Sequence, residues 1–219
     1  MGPLAVLALL LALLGGGARN ERVNTTPVAW NPTMVVVRNG IGSLTVSNGP
    51  GRVVMHKQWN FRGPVAKVER HGDVLVITGR CPNNQVQNNC SVDIEVFLPN
   101  VFALDADVGV GDISVRDVQG PERLDAGLGD VAVRNVRGDQ LSARAFGDVT
   151  IDAAAPPLMV DARASNGSVD VGVPAGAYSI TGKTSWEDAV EVRGLVNDPN
   201  SLRKIYFSAS NGDVLVHSR

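Results

Sequence analysis

The sequence is short of the features that most readily announce an activity. It has no basic run: 20 Lys and Arg stand against 22 Asp and Glu, the formal net charge is −2, and the arginines are scattered. A nucleic-acid binder needs a concentrated basic surface, so nucleic acid is not expected as a partner. Aromatics are only 5% of the 219 residues although 44% are hydrophobic, so a core must rest on Val, Ile, Leu and Ala. Between Thr33 and Arg219 no apolar pattern of helical period is sustained, and Gly or Pro interrupts at roughly ten-residue intervals. Only the stretch from Asp198 to Lys204 reads as a short helical turn. A nucleophile elbow, Gly-x-Ser-x-Gly, is missing. So is a phosphate loop, Gly-x-x-x-x-Gly-Lys-Ser/Thr. His56, His71 and His217 lack metal-ligand spacing and read as turn or solvent-facing residues. No cofactor and no catalytic residue is expected.

Cysteine is nearly absent too. Cys81 and Cys90 enclose a polar, turn-forming segment. A metal site needs two more soft ligands nearby, and a redox site needs a closer pair such as Cys-x-x-Cys. The remaining reading is a structural disulfide across a hairpin loop, suited to an oxidising compartment and contributing roughly 2–3 kcal/mol by the loop-entropy estimate.

Charge is missing altogether from Pro3 to Ala18, a stretch dominated by Leu and Ala. Leu4 to Leu14 has the length of a signal-peptide core, and Gly16 and Ala18 put small residues at the −3 and −1 positions of a cleavage site. No Lys or Arg precedes it, and a bilayer span usually needs about 20 apolar residues. Residues 1–18 are therefore expected to be a cleaved signal peptide or a membrane anchor, 19–33 a polar linker, and 34–219 a single folded domain.

What is abundant is a repeat. Gly-Asp followed by an alternating apolar triplet recurs at Gly72-Asp73, Gly111-Asp112, Gly129-Asp130, Gly147-Asp148 and Gly212-Asp213. Degenerate copies begin at Gly167-Ser168 and at Glu187-Asp188. Gly111, Gly129 and Gly147 are 18 apart, the next steps are 20, and Gly120 and Gly138 form a second series 18 apart and midway. Leu124 and Leu141, 17 apart, break the register. Strict alternation means strands with one buried face. Glycine supplies the positive φ of a tight corner, and aspartate bonds the turn backbone through its side chain. Two glycine-marked corners per repeat imply two short strands per repeat, and such units bury their apolar faces only by stacking. The expected fold is an all-β, single-domain β-solenoid, a right-handed β-helix or roll. A long meander of hairpins is the alternative.

Asp112, Asp130 and Asp148 would then align into a ladder along one edge. Solvent and Arg116, Arg134 and Arg144 could relieve its repulsion, or a cation such as calcium could, although the calcium β-roll signature Gly-Gly-x-Gly-x-Asp is missing. Turn capping is the preferred role. Of Trp30, Trp59 and Trp186, Trp59 lies in a loop-like stretch and is the best candidate for stacking on a ligand.

Several segments together resemble a known family. They are Cys81-Pro…Cys90-Ser-Val-Asp-Ile-Glu-Val-x-x-Pro99, the successive Gly-Asp-Val-x-Val units, Val173-Pro-Ala-Gly-x-Tyr178, and the terminal Ser210-Asn-Gly-Asp-Val-x-Val216. The chain is similar over Met34 to Arg219 to the bacterial "putative adhesin" family of β-strand-repeat envelope proteins, a domain of unknown function. Glu187 stands where the repeat expects glycine. The resemblance implies a β-solenoid tethered by an N-terminal hydrophobic segment and no catalytic residues. The expected function is a non-enzymatic, extracytoplasmic structural, adhesion or interaction module. Its partner would be an envelope protein or polymer, with self-association through exposed edge strands as a further possibility. The alternatives are a polysaccharide-acting enzyme on a β-helix scaffold and an envelope-stress sensor.

Overall fold

The computed structural model describes residues 19–82, 89–99, 102–185 and 189–219. The hydrophobic segment 1–18 and the Trp186–Glu187 turn lie outside the described residues. All extended secondary structure among those described is strand. No helix there is long and apolar enough to cross a membrane, and the expected helical turn at Asp198–Lys204 is a turn at 199–200 and a bend at 202–203 that lead into a strand at Lys204.

Among the described residues, twenty strands form two ten-stranded sheets. The first runs in the order β1 (Asn20–Pro27), β4 (Arg52–Trp59), β7 (Ser91–Leu98), β3 (Leu44–Asn48), β9 (Ile113–Arg116), β11 (Val131–Val136), β13 (Val149–Ala153), β15 (Val169–Val173), β20 (Val214–Ser218), β17 (Val190–Arg193). The second runs β18 (Val196–Asn197), β16 (Ala177–Thr184), β19 (Lys204–Ala209), β14 (Met159–Ala164), β12 (Gln140–Ala145), β10 (Glu122–Leu128), β8 (Ala103–Val110), β2 (Met34–Ile41), β6 (Val74–Arg80), β5 (Val65–His71).

From β7 to β17 successive strands alternate between the sheets, so one strand from each makes a coil. Neighbouring coils pair in parallel: Val131 lies beside Ile113 on one side and Val149 on the other, the 18-residue spacing of the sequence. Inward positions consequently stack into columns. One column in the first sheet is Leu44, Ile113, Val131, Val149, Val169 and Val214, all at most 1% exposed. Each such side chain contributes roughly 1.5–3 kcal/mol when fully buried, but only when a neighbouring coil covers it.

The irregular Leu124–Leu141 spacing is resolved by an extra residue. Asn135 forms a bulge in β11, and Leu141 pairs with Glu122 instead of Leu124. Glu122, already beside Leu104 by the 18-residue step, thus lies in a column otherwise made by Leu104, Leu141, Val160 and Ile205.

Three features depart from a simple coil. The stretch expected to be a linker contains β1, antiparallel to β4. Its Thr-rich sequence suits a strand, and its polarity suits a sheet edge, where it is mostly exposed. Val28 then anchors it in the core. Strand β4 is antiparallel to both its neighbours, and β5 and β6 form an antiparallel hairpin. Finally, the last strands insert: β20 sits between β15 and β17, and β19 between β14 and β16. The chain thus reaches its outermost C-terminal coil before it fills the gap beneath.

Candidate functional site

The repeat corners were the strongest signal in the sequence, and the structure gives them a definite job. Asp112 Oδ1 accepts a hydrogen bond from the backbone N–H of Asp130 at 2.9 Å, and Asp130 Oδ1 accepts from Asp148 N–H at 2.8 Å. Asp148 Oδ1 accepts from Ser168 N–H at 2.8 Å. The column extends in both directions. Asp93 Oδ1 accepts from Ser43 N–H, Ser43 Oγ from Asp112 N–H, and Ser168 Oγ from Asp213 N–H. Each corner side chain therefore ties its coil to the next, and amide hydrogens, which carry positive partial charge, lie between successive carboxylates. Arg144, expected to relieve this ladder, lies instead on the outer face of the second sheet, 3.8 Å from Asp161.

The glycines of the same corners serve chiefly by having no side chain. A Cβ on Gly129 would lie 2.2 Å from the carbonyl oxygen of Gly111, and one on Gly212 2.3 Å from that of Gly167. A Cβ on Gly147 would meet Asp130 Oδ1 at 2.0 Å, and one on Gly167 would meet Asp148 Oδ1 at 2.5 Å. Only Gly111 and Gly129 among these also have positive φ. Gly72 is different. Its φ of +63° has nothing within 4 Å of a would-be Cβ. Gly72-Asp73 is the turn of the β5–β6 hairpin, not a coil corner.

Midway around the coil a second column forms. Asp117 and Asn135 both have positive φ, and the Asn135 side-chain amide donates to Asp117 Oδ1. Cys81 and Cys90 form the expected disulfide, connecting the end of β6 to the start of β7 and so joining the two sheets. In the segment Val173–Tyr178, the fully buried Tyr178 donates its hydroxyl hydrogen to the Pro174 carbonyl at 2.9 Å. Burial raises its pKa.

The remaining candidates do not converge. His56 faces Glu95 at 3.6 Å, His217 faces Asp170 at 3.1 Å, and His71 ends β5. No group of three or more His, Cys, Asp or Glu among the described residues is arranged to hold a metal ion. Trp30 is partly buried under the Arg70 guanidinium, 4.3 Å from the ring centroid. Trp59 is the half-buried last residue of β4, paired with Asn20.

The outer face of the second sheet carries adjoining relief and charge. Arg38 and Arg123 flank Asp105 at 2.7 and 3.6 Å, and Arg163 and Arg144 flank Asp161 at 2.7 and 3.8 Å. Two shallow hollows of about 420 and 280 Å³ adjoin at Arg163 and cross from β10 to β16. Their floor is small, with Gly127, Ser165, Thr181 and Ser208, and Phe146 and Tyr206 stand beside it. Sequence reasoning missed this face. Its signal was the pair Ala143-Arg-Ala145 and Ala162-Arg-Ala164, which the stacking sets side by side.

No sequence family and no curated protein matches the chain. Solved structures do resemble it. A "putative adhesin" from Bacteroides fragilis NCTC 9343 is 14% identical, with 93% of this chain and 99% of that one covered and a TM-score of 0.47. A "putative cell adhesion protein" from Clostridium sporogenes ATCC 15579 is 12% identical, with 92% and 99% covered and a TM-score of 0.38. A "putative lipid binding protein" from Parabacteroides distasonis ATCC 8503 is 11% identical, with 91% and 97% covered and a TM-score of 0.41. Identities and TM-scores this low transfer no function.

Proposed function

We propose that the chain is a non-enzymatic β-solenoid of the bacterial cell envelope, of the adhesin-like β-strand-repeat class that its sequence resembles. In this reading it is exported, anchored or released through residues 1–18, and presents a rigid strand face to another envelope component. The observation that carries the reading is the corner column. The recurrent aspartates, the most suggestive chemical groups in the sequence, are spent on tying coil to coil. They do not gather on a concave face, as acid–base work on a polysaccharide would require. Arginines flank Asp105 and Asp161 on the outer face, which supports recognition over catalysis there. The disulfide supports an oxidising compartment.

The test is to incubate the oxidised chain with isolated cell-envelope fractions and measure co-sedimentation together with soluble sugar. Saturable retention without sugar release is expected. Release of sugar without retention would overturn the reading in favour of an enzyme, for which Asp107 and Asp125, paired on adjacent strands, are the first residues to replace.

A further inference from the structure

The outer face of the second sheet changes character along the stack. In one row of outward positions the strands β8, β10, β12, β14, β19 and β16 contribute Asp107, Asp125, Arg144, Arg163, Ser208 and Lys183. The row thus passes from two carboxylates to three cations. Strands are spaced about 4.8 Å apart, so the trough from β10 to β16 is roughly 19 Å long.

The arginines are not exhausted by their internal pairs. Arg163 holds Asp161 at 2.7 Å and Arg144 reaches it at 3.8 Å, but a guanidinium has five N–H donors. Their side chains remain 52% and 46% exposed. Lys183 is exposed and enters no ion pair among the described residues. Beside this row, Tyr206 and Phe146 are 39% and 45% exposed. They flank the trough on opposite sides, from β19 and from the end of β12, with β14 between them.

We propose that this trough binds an extended acidic polysaccharide. The sugar carboxylates pair with Arg144, Arg163 and Lys183, and the ring faces pack on Tyr206 and Phe146. The proposal rests on the envelope-module reading and names the partner class for its strand face. Arginine suits carboxylate because its planar fork binds both oxygens. Sugar units in an extended chain recur at a distance comparable to the strand spacing, so successive units can meet successive coils. Asp125 and Asp107 repel an anion and mark where contact ends. A nucleic acid fits less well. Duplex DNA carries a charge about every 1.7 Å, far denser than three cations over this length. Single strands are held on successive stacked aromatics, whereas the two here are separated by a strand that offers none.

The test uses the full oxidised chain in native affinity electrophoresis through gels containing polygalacturonate, neutral dextran or single-stranded DNA. Retardation by polygalacturonate alone is expected, weakening with added salt. The double variant R144Q/K183Q, altered only at exposed side chains, should lose about tenfold in affinity. Y206S should weaken binding while leaving its salt dependence unchanged. Equal retardation by DNA would overturn the proposal by showing charge without sugar recognition, as would polygalacturonate binding that R144Q/K183Q leaves intact. If R144Q/K183Q is still retained by envelope fractions as wild type is, the trough assignment fails and the module reading stands. If wild type is not retained at all, the module reading itself fails.

Discussion

Glu122 is the residue most at odds with its surroundings, and replacing it gives a quantitative prediction. It is 3% exposed, lies in register with Leu104 and Leu141, and neither carboxylate oxygen has a hydrogen-bond partner among the described residues. Burial pushes its pKa from an ordinary 4.5 up to about 8. Below pH 4.5 the group is protonated in both folded and unfolded chains and pH has no leverage. Above that, the unfolded chain releases a proton that the folded chain keeps, so the fold loses about 1.4 kcal/mol per pH unit until the folded carboxyl ionises too. At pH 7 the accumulated cost is about 3 kcal/mol, and above pH 8 it levels near 5 kcal/mol. Glu122→Leu extends the leucine column and removes the titration. Urea unfolding followed by circular dichroism from pH 5 to pH 9 should show E122L gaining on wild type steadily up to about pH 8 and then holding its advantage. A stability gap that does not change with pH, or an E122L protein less stable than wild type at pH 8.5, would refute the reasoning.

Other consequences are as direct. Gly129→Ala places a methyl 2.2 Å from the Gly111 carbonyl oxygen at a φ of +153°, and should destabilise by about 3 kcal/mol or more. Gly72→Asn, in open space at a left-handed φ, should cost less than about 1 kcal/mol. Comparing the two melting curves checks whether close approach or backbone freedom explains the corner glycines. Asp130→Ala leaves the Asp148 amide without its acceptor and should cost about 1–2 kcal/mol in urea unfolding, while Asp130→Asn, which keeps an oxygen in place, should cost less. Reducing the Cys81–Cys90 disulfide should lower stability by about 2–3 kcal/mol, seen as an earlier urea midpoint in dithiothreitol.

The stacked part of the fold was legible because its physics is local and periodic. Alternating Val and Ile gave the strands, and the 18-residue step from Gly111 to Gly147 gave the pairing. Elements set by long-range pairing were not legible. Strand β1 looks like a linker because an edge strand needs few apolar residues. The insertion of β19 and β20 between earlier strands leaves no mark on their own sequences. Gly72-Asp73 imitates the repeat because a hairpin turn and a coil corner both favour glycine followed by a polar residue. The aspartates were read as turn residues from their place after glycine, whereas their acceptor role between coils needs the register of two neighbouring turns. The trough was hidden for the same reason. Arg144 and Lys183 are far apart in sequence, and only the insertion of β19 between β14 and β16 brings them onto one face.

The claim on which the account turns is that corner aspartates lock each coil to the next, and residue-resolved amide hydrogen exchange tests it most directly. In wild type, the Asp130, Asp148 and Ser168 amides should be protected although Asp130 and Asp148 are exposed and Ser168 is only half-buried. Asp112→Ala should release Asp130 alone, Asp130→Ala should release Asp148, and Asp148→Ala should release Ser168. Fast exchange at all three amides in wild type, or protection that none of these substitutions changes, would contradict the account.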